Sequence, residues 1–123
     1  MRLHHVQVAC PPGGEAGARR FYGEGLGLTE VEKPAGLRGR GGIWLRSGEG
    51  AEIHVGVEDP FVPARKAHPA FLLADRDELE ATGERLAGLG FDVDWGQRHT
   101  FDGYERFHTL DSHGNRVELL SPA

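Results

Sequence analysis

Apolar and polar residues alternate in short runs along most of the chain, and two stretches switch to helical spacing. The period-two pattern predicts strands at about residues 3–9, 29–33, 43–46 and 51–57, then at 67–74, 91–95, 105–110 and 115–120. Between the first and second strands, Ala18, Phe21 and Tyr22 fall on one side of a helix that Gly25-x-Gly27 ends. A second helix starts near Arg76, with Asp75 as N-cap and Glu78 placed to complete a capping box; Gly88 or Gly90 closes it. Each half reads βαβββ: module one is 1–58, the Pro60- and Pro63-bearing segment 59–66 is a linker, and module two is 67–121. The expected class is α+β, in a single domain of two tandem modules.

The halves repeat more than their order. His5 and His68 open equivalent runs, 63 residues apart (68 − 5), and Gly25-Leu26-Gly27 returns as Gly88-Leu89-Gly90 at the same offset (88 − 25 = 63). Near the end of each half His54 stands where Glu118 does, 64 apart (118 − 54). That period exceeds the 20–50 residues of solenoid and propeller repeats, so a larger unit has been duplicated.

Strand parity then selects side chains, because alternate residues face opposite sides of a sheet. Ile53, Val55 and Val57 pack under the helix, which turns His54 to the other face; Val117 and Leu119 do the same for Glu118. Val6 and Val8 pack, so His5 faces away and its neighbour His4 does not. Phe71 and Leu73 leave His68 on the helix-free side. Three imidazoles and one carboxylate on one face form a donor set for a divalent first-row metal, namely Zn, Ni, Mn, Fe or Co.

Other positions are weaker. His108, on the strand beside Glu118, points into the same face as a proton-transfer residue or as pocket lining. Trp44 occupies its place in module one (108 − 44 = 64), as pocket wall or core. Arg38 and Arg40 sit in a glycine-rich loop, solvated or facing an anionic substrate. His99 and Tyr104 fall in a loop near the mouth. Gly23-x-Gly25-x-Gly27 ends a helix and reads as a turn, not a nucleotide loop.

Composition narrows the class. A formal charge of −5 with no basic stripe argues against nucleic acid. No apolar run reaches the roughly 18–20 residues of a membrane span. Lone Cys10 cannot pair within the chain, which fits a cytoplasmic protein.

The phrases LHHVQV, RRFYGEGLGL, AHPAFLLAD and DSHGNRVELLSP together resemble the vicinal oxygen chelate superfamily, over nearly the whole chain. Glyoxalase I, fosfomycin-resistance proteins, methylmalonyl-CoA epimerase, extradiol dioxygenases and bleomycin-resistance proteins belong to it. The resemblance implies two βαβββ modules curling into an open, eight-stranded barrel-like sheet around one divalent metal, with the helices outside. It places the ligands at His5, His54, His68 and Glu118, and implies a homodimer whose metal is often bound by modules of both chains. Glyoxalase I-like members carry Glu at the place of His54. Three neutral imidazoles and one carboxylate leave a divalent site at net +1, which favours an anionic or enolisable oxygen substrate. The reading that follows is a metal-dependent enzyme with isomerase or lyase chemistry on a small molecule through a metal-stabilised enolate, with Glu118 and His108 as catalytic residues. Its rivals are a non-haem iron dioxygenase-like enzyme and a metal-free, ligand-sequestering protein of the bleomycin-binding kind.

Overall fold

The computed structural model describes residues 1–123. Eight strands form two four-stranded sheets, and no barrel closes. The first sheet contains β1 (Val6–Cys10), β2 (Thr29–Val31), β3 (Ile43–Arg46) and β4 (Glu52–Val57), in the order β1-β4-β3-β2. The second contains β5 (Ala70–Leu72), β6 (Val93–Asp94), β7 (Tyr104–Leu110) and β8 (Arg116–Pro122), in the order β5-β8-β7-β6. In each, the first strand runs parallel to the last and the others pair antiparallel.

The duplication is reproduced in register. Gln7 and Trp44 flank His54 in the first sheet, and Ala70 and His108 flank Glu118 in the second. All eight strands expected from the alternation form, but β1 and β5 begin later than expected, so His5 and His68 lie just outside them. Pro69 accounts for part of this: it has no N–H to give, and only its carbonyl joins the ladder, accepting from Glu118 N at 3.0 Å.

Helix α1 (Glu15–Ala18) continues as a wider π-helical segment, Arg19–Gly25, which buries Phe21, Tyr22 and Gly25. Helix α2 (Arg76–Gly88) starts at Asp75, whose side chain accepts from Glu78 N at 2.9 Å. Glu78 reaches back one residue beyond the usual partner and accepts from Ala74 N at 2.7 Å. The glycine-rich stretch after β2 contains a 3-10 segment, Ala35–Arg40.

One core of 15 buried residues joins both halves, with Phe21, Ile53, Val55, Leu79, Leu86, Phe107, Val117 and Leu119 among them. The helices cover the sheet faces that carry these residues, so the opposite parity is left for His54 and Glu118. The two helices meet closely: a methyl group on Gly25 would stand 2.7 Å from Leu86 Cδ2, and Phe21 meets Phe91 edge-on with centroids 5.1 Å apart. Gly42 is a stricter case, because its φ of +80° and a Cβ position 2.1 Å from the Val55 carbonyl oxygen admit no side chain.

The turn between β7 and β8 locks the halves together. Asp111 accepts from Tyr22 Oη at 2.7 Å and from Asn115 Nδ2 at 2.9 Å. Asn115 in turn donates to the Ala9 carbonyl and accepts from Ala64 N. Tyr22 is fully buried, and burial, reinforced by Asp111, pushes its phenol well above the ordinary range. Removing one such buried hydrogen bond costs about 1–2 kcal/mol. Tyr22→Phe is therefore expected to lower the unfolding free energy by that amount, seen as a lower urea midpoint with the slope of the transition unchanged, as followed by circular dichroism.

Candidate functional site

The helix-free face of the second sheet gathers three ligand-type side chains. One ligand atom each from His68, His108 and Glu118 lie within 4.8 Å of one another. Glu118 comes from the middle of β8, and cross-strand pairing puts His108 directly beside it on β7. Both are buried, at 4% and 7% exposure, while His68 enters from the segment before β5.

The hydrogen bonds define what each nitrogen offers. His68 Nδ1 lies 2.8 Å from the Lys66 carbonyl, which can only accept, so Nδ1 carries the proton and Nε2 keeps its lone pair. That nitrogen faces Glu118 Oε1 at 3.4 Å. A lone pair opposed to a carboxylate oxygen at that distance calls for a shared cation, either a proton or a metal ion. His108 Nε2, 2.9 Å from the same oxygen, is placed to donate to it. Burial lowers the affinity of His108 for a second proton, and nearby Arg116 adds to the effect. His108 also opens onto a cleft of about 440 Å³ that Asp94 and Arg116 line.

The first sheet holds a separate group. His54 stacks on Trp44 with ring centroids 3.7 Å apart and planes 1° apart, and His5 covers its other side at 3.9 Å and 18°. His54 Nε2 is buried and has no hydrogen-bond partner. Burial is the main reason its pKa is lowered, with His5 contributing. An orphaned imidazole nitrogen held rigidly between two rings has the character of a ligand atom awaiting a cation. The donor set of the second sheet thus fits a divalent metal, and the first sheet adds the unpartnered nitrogen of His54.

The four residues singled out by parity are not brought together in one chain. His5 and His54 touch each other, His68 and Glu118 touch each other, and no contact links the pairs. His4, the neighbour that parity rejected, is 81% exposed at its side chain and lies 3.8 Å from Glu52. The stack on His54 belongs to His5.

The weaker candidates sort clearly. Arg38 donates to the Lys33 carbonyl and pairs with Glu32, so it serves its own loop. His99 lies 3.6 Å from Glu105, whose parity on β7 is that of the core residue Phe107 rather than of His108. Tyr104 packs on Phe101 at 4.9 Å at the far end of β7. Sequence reading missed Arg106, which donates from Nη1 to Glu118 Oε1 at 3.1 Å. The signal was present: Arg106-x-His108 on one strand puts both on one face.

Both depressed histidines set a direction for pH. Their ordinary value is 6.5, and the fold holds them lower. As pH falls through 6.5 the unfolded chain takes up protons before the native chain does, so stability falls until the native imidazoles protonate as well. Metal-free protein is expected to lose urea resistance between about pH 7 and 5, and His54→Gln to show a shallower loss over that window.

Comparisons with known proteins give the family and the fold. Residues 2–119 match the model of the Glyoxalase/Bleomycin resistance protein/Dioxygenase superfamily. A glyoxalase family protein from Bacillus anthracis is 41% identical in sequence, with a TM-score of 0.89 over 100% of this chain and 96% of that one. FosX, a fosfomycin resistance protein from Listeria monocytogenes, is 15% identical with a TM-score of 0.73, covering 100% and 92% of the two chains. A glyoxalase/dioxygenase from Nostoc punctiforme is 19% identical with a TM-score of 0.79, covering 99% and 91%. No curated protein sequence matches the chain. No helix is long and apolar enough to cross a membrane.

Proposed function

Because the chain belongs to the Glyoxalase/Bleomycin resistance protein/Dioxygenase superfamily, we propose that it is a divalent-metal-dependent enzyme with glyoxalase-type isomerase or lyase chemistry. Its substrate is a small, oxygen-chelating, anionic molecule, and it works in the cytoplasm as a homodimer. The observation that carries this reading is the convergence of His68, His108 and Glu118 on the helix-free face of the second sheet.

In this reading His5, His54, His68 and Glu118 hold the ion, and residues 1–58 and 67–121 are the two modules that supply them around the linker 59–66. When bound, the ion supplies Lewis-acid polarisation of a substrate oxygen. The protein's own groups do the rest. Lys66 fixes the tautomer of His68 through its carbonyl, and Trp44 fixes the plane of His54. Glu118 is the carboxylate that accepts a proton from a carbon next to a carbonyl at Oε2 and returns it, while His108 donates its Nε2–H to Oε1 and holds the carboxylate in place for the transfer. The lowered pKa of His108, caused mainly by burial, keeps the imidazole neutral while it holds this hydrogen bond.

The separation of the two pairs supports the homodimer in this reading. With His5 and His54 in the first sheet out of contact with His68 and Glu118, a second copy of the chain is the direct way to complete a four-residue set. A second reading has one specific observation in its favour: His68, His108 and Glu118 by themselves form a two-histidine, one-carboxylate group of the kind that non-haem iron oxygenases use.

Protein purified without chelator and reconstituted with nickel is expected to retain about one ion per chain by elemental analysis, and Glu118→Gln to lose most of it. Nickel should also quench the fluorescence of Trp44, through its stack on His54, and Trp44→Phe should remove that response. Wild-type protein that retains no ion would refute the metal-enzyme reading in favour of sequestration; bound iron with oxygen uptake on a catechol would select the oxygenase reading.

The shared site has its own test. Glu118→Gln and His54→Gln proteins should each be deficient in metal when pure. Unfolded together and refolded, they should regain one intact site per mixed dimer, which pairs His54 of the Glu118→Gln chain with Glu118 of the His54→Gln chain. No recovery on mixing would place the site within one chain.

A further inference from the structure

We propose that Arg106 is the specificity-determining residue of this face and that it recognises an oxyanion of the substrate, a carboxylate or phosphate-type group. The inference rests on the helix-free face of the second sheet being the substrate face, as proposed above, but not on the ion itself.

Arg106 stands two residues before His108 on β7 and shares its side of the sheet. Its side chain is 18% exposed, so the guanidinium borders the face without being released into solvent. Nε points to the Gln97 carbonyl at 3.4 Å, and Nη2 donates to Gln97 Oε1 at 3.2 Å and to Thr100 Oγ1 at 2.9 Å. The ring of Phe101 lies 5.4 Å from its central carbon. The loop between β6 and β7 thus holds the guanidinium from behind and fixes its plane. Nη1 turns to the site, with one hydrogen on Glu118 Oε1 and, of five donors in all, one uncommitted.

Charge makes this placement selective. The protein as a whole carries −5, yet the strand faces around Glu118 carry both Arg106 and Arg116. Glu118 is the carboxylate against Arg106, and it already accepts from His108. Asp94, the acidic residue paired across from His108, has an oxygen on Gly96 N. In the first sheet Arg46 and Glu52 pair at 2.7 Å, as Arg106 and Glu118 do at 3.1 Å; what sets the second sheet apart is the additional guanidinium of Arg116 and the uncommitted N–H of Arg106. Arg106 is therefore a preorganised cation beside the proposed reacting groups, and its fixed fork suits a planar or tetrahedral oxyanion better than a neutral oxygen. A ligand that meets it exchanges little side-chain freedom, because the loop has already ordered the guanidinium.

The test is calorimetric titration of the full-length, metal-free protein with inorganic phosphate and, separately, with malonate, at low and raised potassium chloride. Wild-type protein should bind at least one of the two, more weakly at higher salt, and the preferred probe identifies phosphate-type or carboxylate recognition. Arg106→Gln should weaken binding about tenfold or more, the scale of a lost charge-assisted hydrogen bond. Arg106→Lys should recover part of the affinity, which guards against a mere folding defect. Arg76→Gln, which removes a partner of Glu105 on the opposite sheet face, should leave the affinity unchanged.

Wild-type protein that binds neither anion would overturn the proposal, as would folded Arg106→Gln protein with wild-type affinity. Arg106-dependent binding by a protein that retains no metal would sustain this inference while the metal-enzyme reading failed. Metal retention with anion binding indifferent to Arg106 would do the reverse.

Discussion

The buried carboxylate of Asp111 is the point on which the two halves are hung. It draws the Tyr22 hydroxyl out of the first helical segment, the Asn115 amide and two backbone N–H groups of its own turn into one hydrogen-bonded knot. Asn115 carries the knot on to Ala9 at the end of β1 and to Ala64 before β5. A buried polar network of this kind contributes only when every member is satisfied, since an unmatched partner costs more than the bond contributes. It also fixes where β8 begins. Glu118 stands three residues beyond Asn115, so the placement of the site carboxylate is inherited from a contact between halves rather than from its own sheet alone.

The same knot explains why the two candidate pairs, His5 with His54 and His68 with Glu118, stay apart. Core residues of both sheets, the two helices and the Asp111 turn all tie the halves together on the helix side. The helix-free faces are what that packing leaves open, and these carry His54 in one sheet and Glu118 in the other. Packing inside the chain and chemistry outside it are thus two sides of one alternation, set residue by residue along β4 and β8.

Much of this was legible in the sequence because alternation is local. Ile53-His54-Val55 and Val117-Glu118-Leu119 each announce which side chains join the core and which turn to the other face, and the structure puts the four apolar residues in the core cluster while His54 and Glu118, buried as well, lie outside it. The caps of α2 were legible for the same reason, although Glu78 bonds one residue further back than a capping box requires. What depended on distant parts of the chain was not legible. The separation of His5 and His54 from His68 and Glu118 follows from how the halves pack. The role of Arg106 depends on Gln97 and Thr100 folding back over β7, and the grip on His54 depends on Trp44 finding the same register position across a strand pair.

That register position has one more consequence. Trp44 beside His54 and His108 beside Glu118 occupy equivalent places in backbones related by duplication. The scaffold is therefore close to twofold while its lining is not: one side offers a flat indole that does not titrate and the other a titratable imidazole. A molecule lodged between two such faces meets a different neighbour at each end, even if its own ends are alike. Handedness can enter a reaction from that difference alone, with the backbone left free to remain symmetric.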